Sequence, residues 1–313
     1  MTETDITLDG PAGALVGTLL SPHGRAAGLV IFLHGTGPMD RDENMPGQAL
    51  NVFNAIAERL AAAGWASFRY DKRGCGASGG DYLSTGHFDL VADARAVVAA
   101  MRSRGNQRIV LVGHSEGTLI AAELAAEVDG LVLLAPFVSP MRQILLAQAG
   151  RLQDEVNAAP GIMGGLTRRL VALFGGMVAI QRRLLAKLDR TEAPVIRYMG
   201  RKVAAKSLRE MLALDLAAIY RAVRVPVLAV SGGKDIQCPP EDGPRIAEMT
   251  GGEAVLVPDM THLLRLTDSA PGFADYARQL ALPVDPAMIG QVIGWLGRQW
   301  PKAGEADGER EKT

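Results

Sequence analysis

Arg108-Ile-Val-Leu-Val-Gly113-His114-Ser115-Glu116-Gly117-Thr118-Leu-Ile-Ala-Ala, residues 108–122, is the stretch on which the fold turns. The aliphatic run after Arg108 has the length and β-branched content of a buried strand, and the residues after Gly117 are good helix formers. Between them Gly-His-Ser-Glu-Gly makes a strand-to-helix turn so tight that small residues are required at Gly113 and Gly117. Such a turn lifts the Ser115 hydroxyl above a sheet edge and sets it at a helix N-terminus. Backbone N–H groups and the helix dipole there favour developing negative charge.

Outward from this turn, short apolar runs alternate with longer stretches of helical spacing. Strands are predicted at Ala14 to Leu20, Gly28 to Leu33, Trp65 to Tyr70, Arg108 to Val112, Gly130 to Leu134, Val225 to Val230 and Ala254 to Val257. Helices are predicted at Ala49 to Ala63, Asp89 to Arg102, Glu116 to Ala126, Asp242 to Met249 and Pro286 to Trp300. This βαβα rhythm belongs to the α/β class, a mostly parallel sheet covered by helices on both faces. It breaks at residues 138–224, which read as several helices separated by Gly and Pro and no strand. The expectation is a core of residues 1–137 and 225–301 with an all-helical cap inserted over the strand C-terminal ends, where open sheets place their ligands. Residues 302–313, KAGEADGEREKT, have the composition of a disordered tail.

Composition narrows the possibilities for such a chain. Its 313 residues are 48% hydrophobic and carry a net charge of -1, which removes a general electrostatic case for nucleic acid as partner. No apolar run reaches the ~18 residues of a membrane span, and the acidic start MTETDITLDG does not have the basic region of a signal peptide. The two cysteines, Cys75 and Cys238, are too few for a disulfide framework and sit in no zinc motif. A cytoplasmic protein is expected.

A serine nucleophile needs a base, and the base needs a carboxylate to orient it. Of the five histidines, His114 lies inside the turn, His34 opens the His34-Gly35-Thr36-Gly37 loop, His23 is in an early turn and His87 precedes a helix. His262, after the last predicted strand, is the base by elimination and position. Asp235 ends a strand in a Gly-rich turn between Ser115 and His262 in chain order, which suits the orienting acid. Glu241, Asp242 and Asp259 compete with it, the first two as acids of a first helical turn and the third as a loop acid. Two backbone donors for an oxyanion are expected from the N–H groups of Glu116 and Thr36. Neither metal nor organic cofactor is called for.

These motifs resemble the α/β-hydrolase superfamily, and within it the bacterial serine esterases related to serine aminopeptidase-like hydrolases. The resemblance rests on His34-Gly35-Thr36-Gly37-Pro38 with Asp40-Arg41-Asp42 behind it, Arg69-Tyr70-Asp71-Lys72-Arg73-Gly74, the Ser115 turn, Gly233-Lys234-Asp235 and Met260-Thr261-His262. It implies a Ser115-His262-Asp235 triad and an acyl-enzyme route, and it does not name a substrate. Thr118 departs from the third Gly common in relatives. Asp40, Arg41 and Asp42 fit either a loop-stabilising ion pair or a solvated cluster, and the turn with Cys75 is taken as structural. Residues and resemblance together give the expectation of a carboxylic ester hydrolase acting on a small-molecule ester with an apolar acyl group. An amidase or acyltransferase with the same triad, and a non-catalytic binding protein of the same fold, are the alternatives; oligomeric state is unreadable.

The cap segment from Met141 to Arg224 holds fifteen Lys and Arg against six Asp and Glu, about +9. Attraction of anionic substrates or a lipid headgroup surface is one reading, and solvated faces of amphipathic helices are the other. Met141, Met163, Met177, Met199 and Met211 also fall here, where flexible side chains suit an adaptable acyl pocket.

Overall fold

A computed structural model describes residues 1–301. The predicted tail, residues 302–313, lies outside the described residues. Two antiparallel strands open the chain, β1 (Thr2–Gly10) and β2 (Gly13–Ser21), followed by β3 (Leu29–Leu33), helix α1 (Val52–Ala62), β4 (Ala66–Tyr70), α2 (His87–Ser103), β5 (Ile109–His114), α3 (Glu116–Glu123) and β6 (Gly130–Leu134). The inserted segment then runs through α4 (Met141–Ala158), α5 (Gly161–Leu173), α6 (Met177–Leu188), β7 (Val195–Tyr198), β8 (Arg201–Ala204), α7 (Ala205–Ala213) and α8 (Leu216–Ala222). The sheet resumes with β9 (Val227–Gly232), α9 (Asp242–Thr250) and β10 (Glu253–Val257), and the chain closes with α10 (Tyr276–Gln279) and α11 (Pro286–Gln299).

The eight strands of the main sheet lie in the order β1-β2-β4-β3-β5-β6-β9-β10. The β1–β2 and β2–β4 pairings are antiparallel, and every pairing from β4 to β10 is parallel. Strand β3 explains the two-sided burial. Leu29, Ile31 and Leu33 point into a core shared with α2 and α3, while Val30 and Phe32 point into a second core under α1 and α11. Continuous apolar strands are the consequence of having no solvent face, and they are what made this part of the sheet legible.

Two features depart from the sequence reading. Strand β1 was not anticipated; its Thr-Asp-Ile-Thr-Leu alternation buries only Ile6 and Leu8, because one face of this edge strand meets solvent. The insertion is not all-helical either, since β7 and β8 form a separate antiparallel hairpin. Its turn, Met199-Gly200, has both residues at positive φ, 46° and 78°, the geometry of a tight two-residue loop. Four-residue strands joined through a Met rather than the usual Asn or Asp carry little signal.

Where the chain leaves the core after β6 it is clamped. Asp242, fully buried at the start of α9, accepts from the N–H groups of Val138 and Ser139 at 2.9 and 2.8 Å and from Ser139 Oγ at 2.9 Å. The acid read from sequence as a first-turn residue therefore holds the root of the insertion.

Candidate active site

Strand β5 delivers Ser115 at φ 52°, ψ -117°, a backbone conformation that only a tightly determined turn sustains. The glycines on either side are forced by close approach. A Cβ at Gly113 would lie 2.3 Å from Gly117 O, and one at Gly117 would lie 2.1 Å from Leu33 O. Thr118, the departure from the usual Gly, is buried and donates its hydroxyl to Ser115 O at 2.6 Å, itself receiving the Tyr220 hydroxyl at 3.3 Å. The extra side chain thus closes the first turn of α3 and ties it to α8.

His262 and Asp235 meet on the loops beyond β10 and β9. The His262 Nδ1 lies 2.8 Å from Asp235 Oδ2, and both residues are buried. Asp235 Oδ1 accepts the N–H groups of Gln237 and Cys238 at 2.7 and 2.8 Å, so the carboxylate is locked in orientation. That bond leaves Nε2 as the uncommitted ring nitrogen, and His262 and Ser115 line one cavity. The competing acids are elsewhere: Asp259 is exposed and pairs with Lys234 at 2.8 Å, Asp242 clamps the insertion, and Glu241 is exposed.

Thr36 lines the same cavity, after β3. Among the described residues neither the Thr36 nor the Glu116 N–H donates to a protein acceptor. The peptide that carries the Thr36 N–H is held from behind. Its carbonyl, Gly35 O, accepts from the buried Lys72 Nζ at 2.6 Å, and because C=O and N–H point opposite ways in a trans peptide, this aims the Thr36 N–H away from Lys72. The preceding N–H, of Gly35, donates to Glu43 Oε1 at 2.9 Å, and Glu43 also pairs with His114 Nδ1 at 2.9 Å. His114 Nε2 in turn contacts His262 O at 2.9 Å, so one buried chain of bonds joins the Thr36 loop to the His262 loop. Burial opposes charge on Glu43, yet His114 holds its carboxyl below the usual range.

The Glu116 side chain is also engaged. It is buried 3.4 Å from Lys72 Nζ, and although burial works against the charged form, Lys72 and then His87 hold its pKa down to about 2. The turn that carries Lys72, read from the sequence as structural, supplies one half of a buried ion pair behind the candidate oxyanion donors, and the Glu116 side chain supplies the other. The Asp40-Arg41-Asp42 alternatives resolve toward loop stabilisation. Arg41 grips Asp71 in a fork, Nε to Oδ1 at 3.2 Å and Nη2 to Oδ2 at 2.9 Å, and Asp42 meets Arg69 at 2.7 Å. Cys75 is buried and its thiol is pushed up to about 11 by burial, consistent with an inert side chain.

The cavity in front of Ser115 has a volume of about 230 Å³. Met141, Ile144 and Leu145 of α4 form one wall and Leu208 and Met211 of α7 another, with Met39, Met45 and Phe137 from the core. Two of the five cap methionines therefore reach it. No Asp, Glu, Lys or Arg lines it, so the basic residues of the cap do not. Asp235, Cys238 and His262 bring a carboxylate oxygen, a sulfur and a ring nitrogen within 4.8 Å of one another. They make a poor metal site: both Asp235 oxygens and His262 Nδ1 are already bonded, and burial pushes the Cys238 thiol well up, away from the thiolate a metal needs.

A mostly parallel sheet sandwiched by helices, with a strained serine between β5 and α3 and a buried Asp-His pair on the following loops, defines the α/β-hydrolase class. Comparison with known proteins places the chain further. It belongs to the family described as serine aminopeptidase, S33, whose model matches residues 24–266. It is 26% identical over 303 residues to esterase EstD of Thermotoga maritima, covering 94% of this chain and 67% of that protein. In fold it is similar to Est1E from Butyrivibrio proteoclasticus (TM-score 0.60, 18% identity, 94% and 98% of the two chains). It is similar as well to an esterase from Pyrococcus furiosus (TM-score 0.59, 16% identity, 96% and 91%).

Proposed function

We propose that the protein is a carboxylic ester hydrolase working through Ser115, His262 and Asp235. The Ser115 hydroxyl gives up its proton to His262 Nε2 and attacks the ester carbonyl. The carbonyl oxygen, now negative, is stabilised by the Thr36 and Glu116 N–H groups. Collapse expels the alcohol, which takes the proton from His262, and leaves an acyl group on Ser115. Water, deprotonated by His262, then attacks the acyl carbonyl through a second oxyanion and frees the acid. Asp235 holds the imidazole in the Nδ1–H tautomer and offsets its charge at both steps.

The observation that carries an ester rather than an aminopeptidase reading is a cavity with no carboxylate in its lining. A peptide with a free ammonium is best matched by a carboxylate, and none of the lining residues is acidic; the amides of Gln48, Gln148 and Gln237 offer acceptors without a counter-charge. Met, Leu and Phe walls suit an apolar acyl chain instead, and EstD, the relative aligned over most of this chain, is named an esterase. The decisive test is intact mass after exposure to a fluorophosphonate, alongside turnover of p-nitrophenyl esters. Wild type should gain one adduct and hydrolyse the esters. Ser115→Ala should gain none and lose turnover by several orders of magnitude, on the scale of ~10⁶ known for serine hydrolases of another fold. Residual turnover within tenfold of wild type would remove Ser115 from the mechanism.

A further inference from the structure

Helix α5 turns its apolar side outward. Ile162, Met163, Leu166, Leu170, Leu173 and the following Phe174 are exposed, from 42% for Phe174 to 91% for Ile162. At 100° per residue these six fall within an arc of about 120°, whereas the inward side is Gly164, Arg168 and Val171. Six large apolar side chains on one exposed face of a single helix exceed the scattered exposure ordinary on a soluble surface.

The charges around this face have one sign. Residues 156–188, which contain α5 and α6, carry Arg168, Arg169, Arg182, Arg183 and Lys187 and no Asp or Glu. Among the described residues none of the five is in a salt bridge; Arg168 donates to Ala159 O, Arg183 to Phe174 O and Lys187 to Arg197 O. Arg183 therefore sits at the edge of the apolar arc, and Arg169 flanks its other side, also exposed. With 13 residues α5 is too short to cross a bilayer, and no single helix among the described residues is long and apolar enough to do so.

We infer that the α5–α6 face of the cap docks onto an anionic lipid surface, α5 lying in the interface with its apolar arc among the acyl chains and the arginines at the headgroups. An apolar arc flanked by uncompensated cations matches such a surface in both of its layers. A second copy of this chain fits less well, because a two-fold contact would set the same unpaired cations against themselves. Helix α4 packs against α5 and supplies the Ser115 cavity wall, so docking would bring that cavity close to lipid-borne material. The inference does not depend on the ester reading.

The test is co-sedimentation of the full chain with vesicles of phosphatidylglycerol and phosphatidylcholine, beside phosphatidylcholine alone, at low and high salt. The variants are Leu166→Ser/Leu170→Ser and Arg169→Glu/Arg182→Glu, all at exposed positions, with circular dichroism and thermal melts confirming that they fold. The expected result is binding to anionic vesicles that salt weakens and at least about tenfold loss in either variant, with both variants folded as the wild type is. A fluorophore on Leu166→Cys, which leaves the helix otherwise intact, should shift to the blue on the same vesicles. Equal binding to neutral vesicles, no binding, or binding indifferent to both variants overturns the inference. So does a dimer in sedimentation velocity that Leu166→Ser/Leu170→Ser dissociates, since a second copy would then cover the face.

Discussion

Lys72 is the residue whose importance a motif reading understates most. Its ammonium fixes the Gly35-Thr36 peptide from one side and neutralises Glu116, whose own N–H is the second candidate oxyanion donor. Lys72→Met keeps the length of the side chain and removes both functions. We expect kcat to fall by roughly 10²–10³, the cost of one misaimed oxyanion donor, with KM little changed. Stability should also fall, by up to roughly 3–5 kcal/mol, because Glu116 keeps only His87, 3.9 Å away, as a buried counter-charge. The double variant Lys72→Met/Glu116→Gln separates the two effects. Melting temperature should recover while kcat stays low; recovery of both would mean that Lys72 acts only through stability.

At the scale of elements, two walls of the candidate acyl cavity come from α4 and α7, helices of the insertion, whereas the candidate reacting groups lie at the ends of core strands. On the proposed function, substitutions in these helices should change acyl preference without removing the chemistry. Leu208→Trp on α7 fills part of the 230 Å³ space. It should move the preference among p-nitrophenyl esters from longer acyl chains toward acetate, with acetate turnover retained. A uniform loss across all chain lengths would instead place Leu208 outside the acyl path. The cap is tied to the core by Asp242 at its root and by Lys206 of α7, 2.5 Å from Asp89 of α2.

For the whole molecule, three buried groups shape stability against pH. His34 is held neutral, its pKa lowered to about 4 by burial and by Lys72, so the folded state resists a proton that the unfolded chain accepts near 6.5. That removes roughly 3 kcal/mol as pH falls through this interval. Glu116, held at about 2 by Lys72 and His87 against the cost of burial, adds a further loss as pH falls below about 4.5. His87 works in the opposite sense. Burial lowers its pKa, but Glu116 and Glu123 raise it to about 9, so its contribution is complete below 6.5 and is lost as pH rises toward 9. Thermal melts from pH 4 to 10 should peak near neutrality, and His87→Gln should flatten the alkaline slope while leaving the part of the acid slope that His34 sets.

Much of this architecture is legible one residue at a time. The parallel core, the Ser115 turn and the choice of Asp235 and His262 follow from local constraints: two-sided burial makes strands continuously apolar, the elbow admits only small neighbours, and five histidines leave few choices for a base. Strand β1 and the β7–β8 hairpin were missed because half-exposed and four-residue strands carry too few apolar positions to outweigh their polar ones. Partnership is what the amino-acid order by itself left open. That Lys72 reaches Gly35 and Glu116, that Glu43 links His114 to the Thr36 loop, and that the cap's cations turn away from the cavity while α5 bares an apolar arc are contacts between residues far apart in sequence or choices of which helix face turns inward. Only packing in three dimensions decides them, because the same charges and apolar side chains could have been paired, buried or solvated without any change in the local pattern.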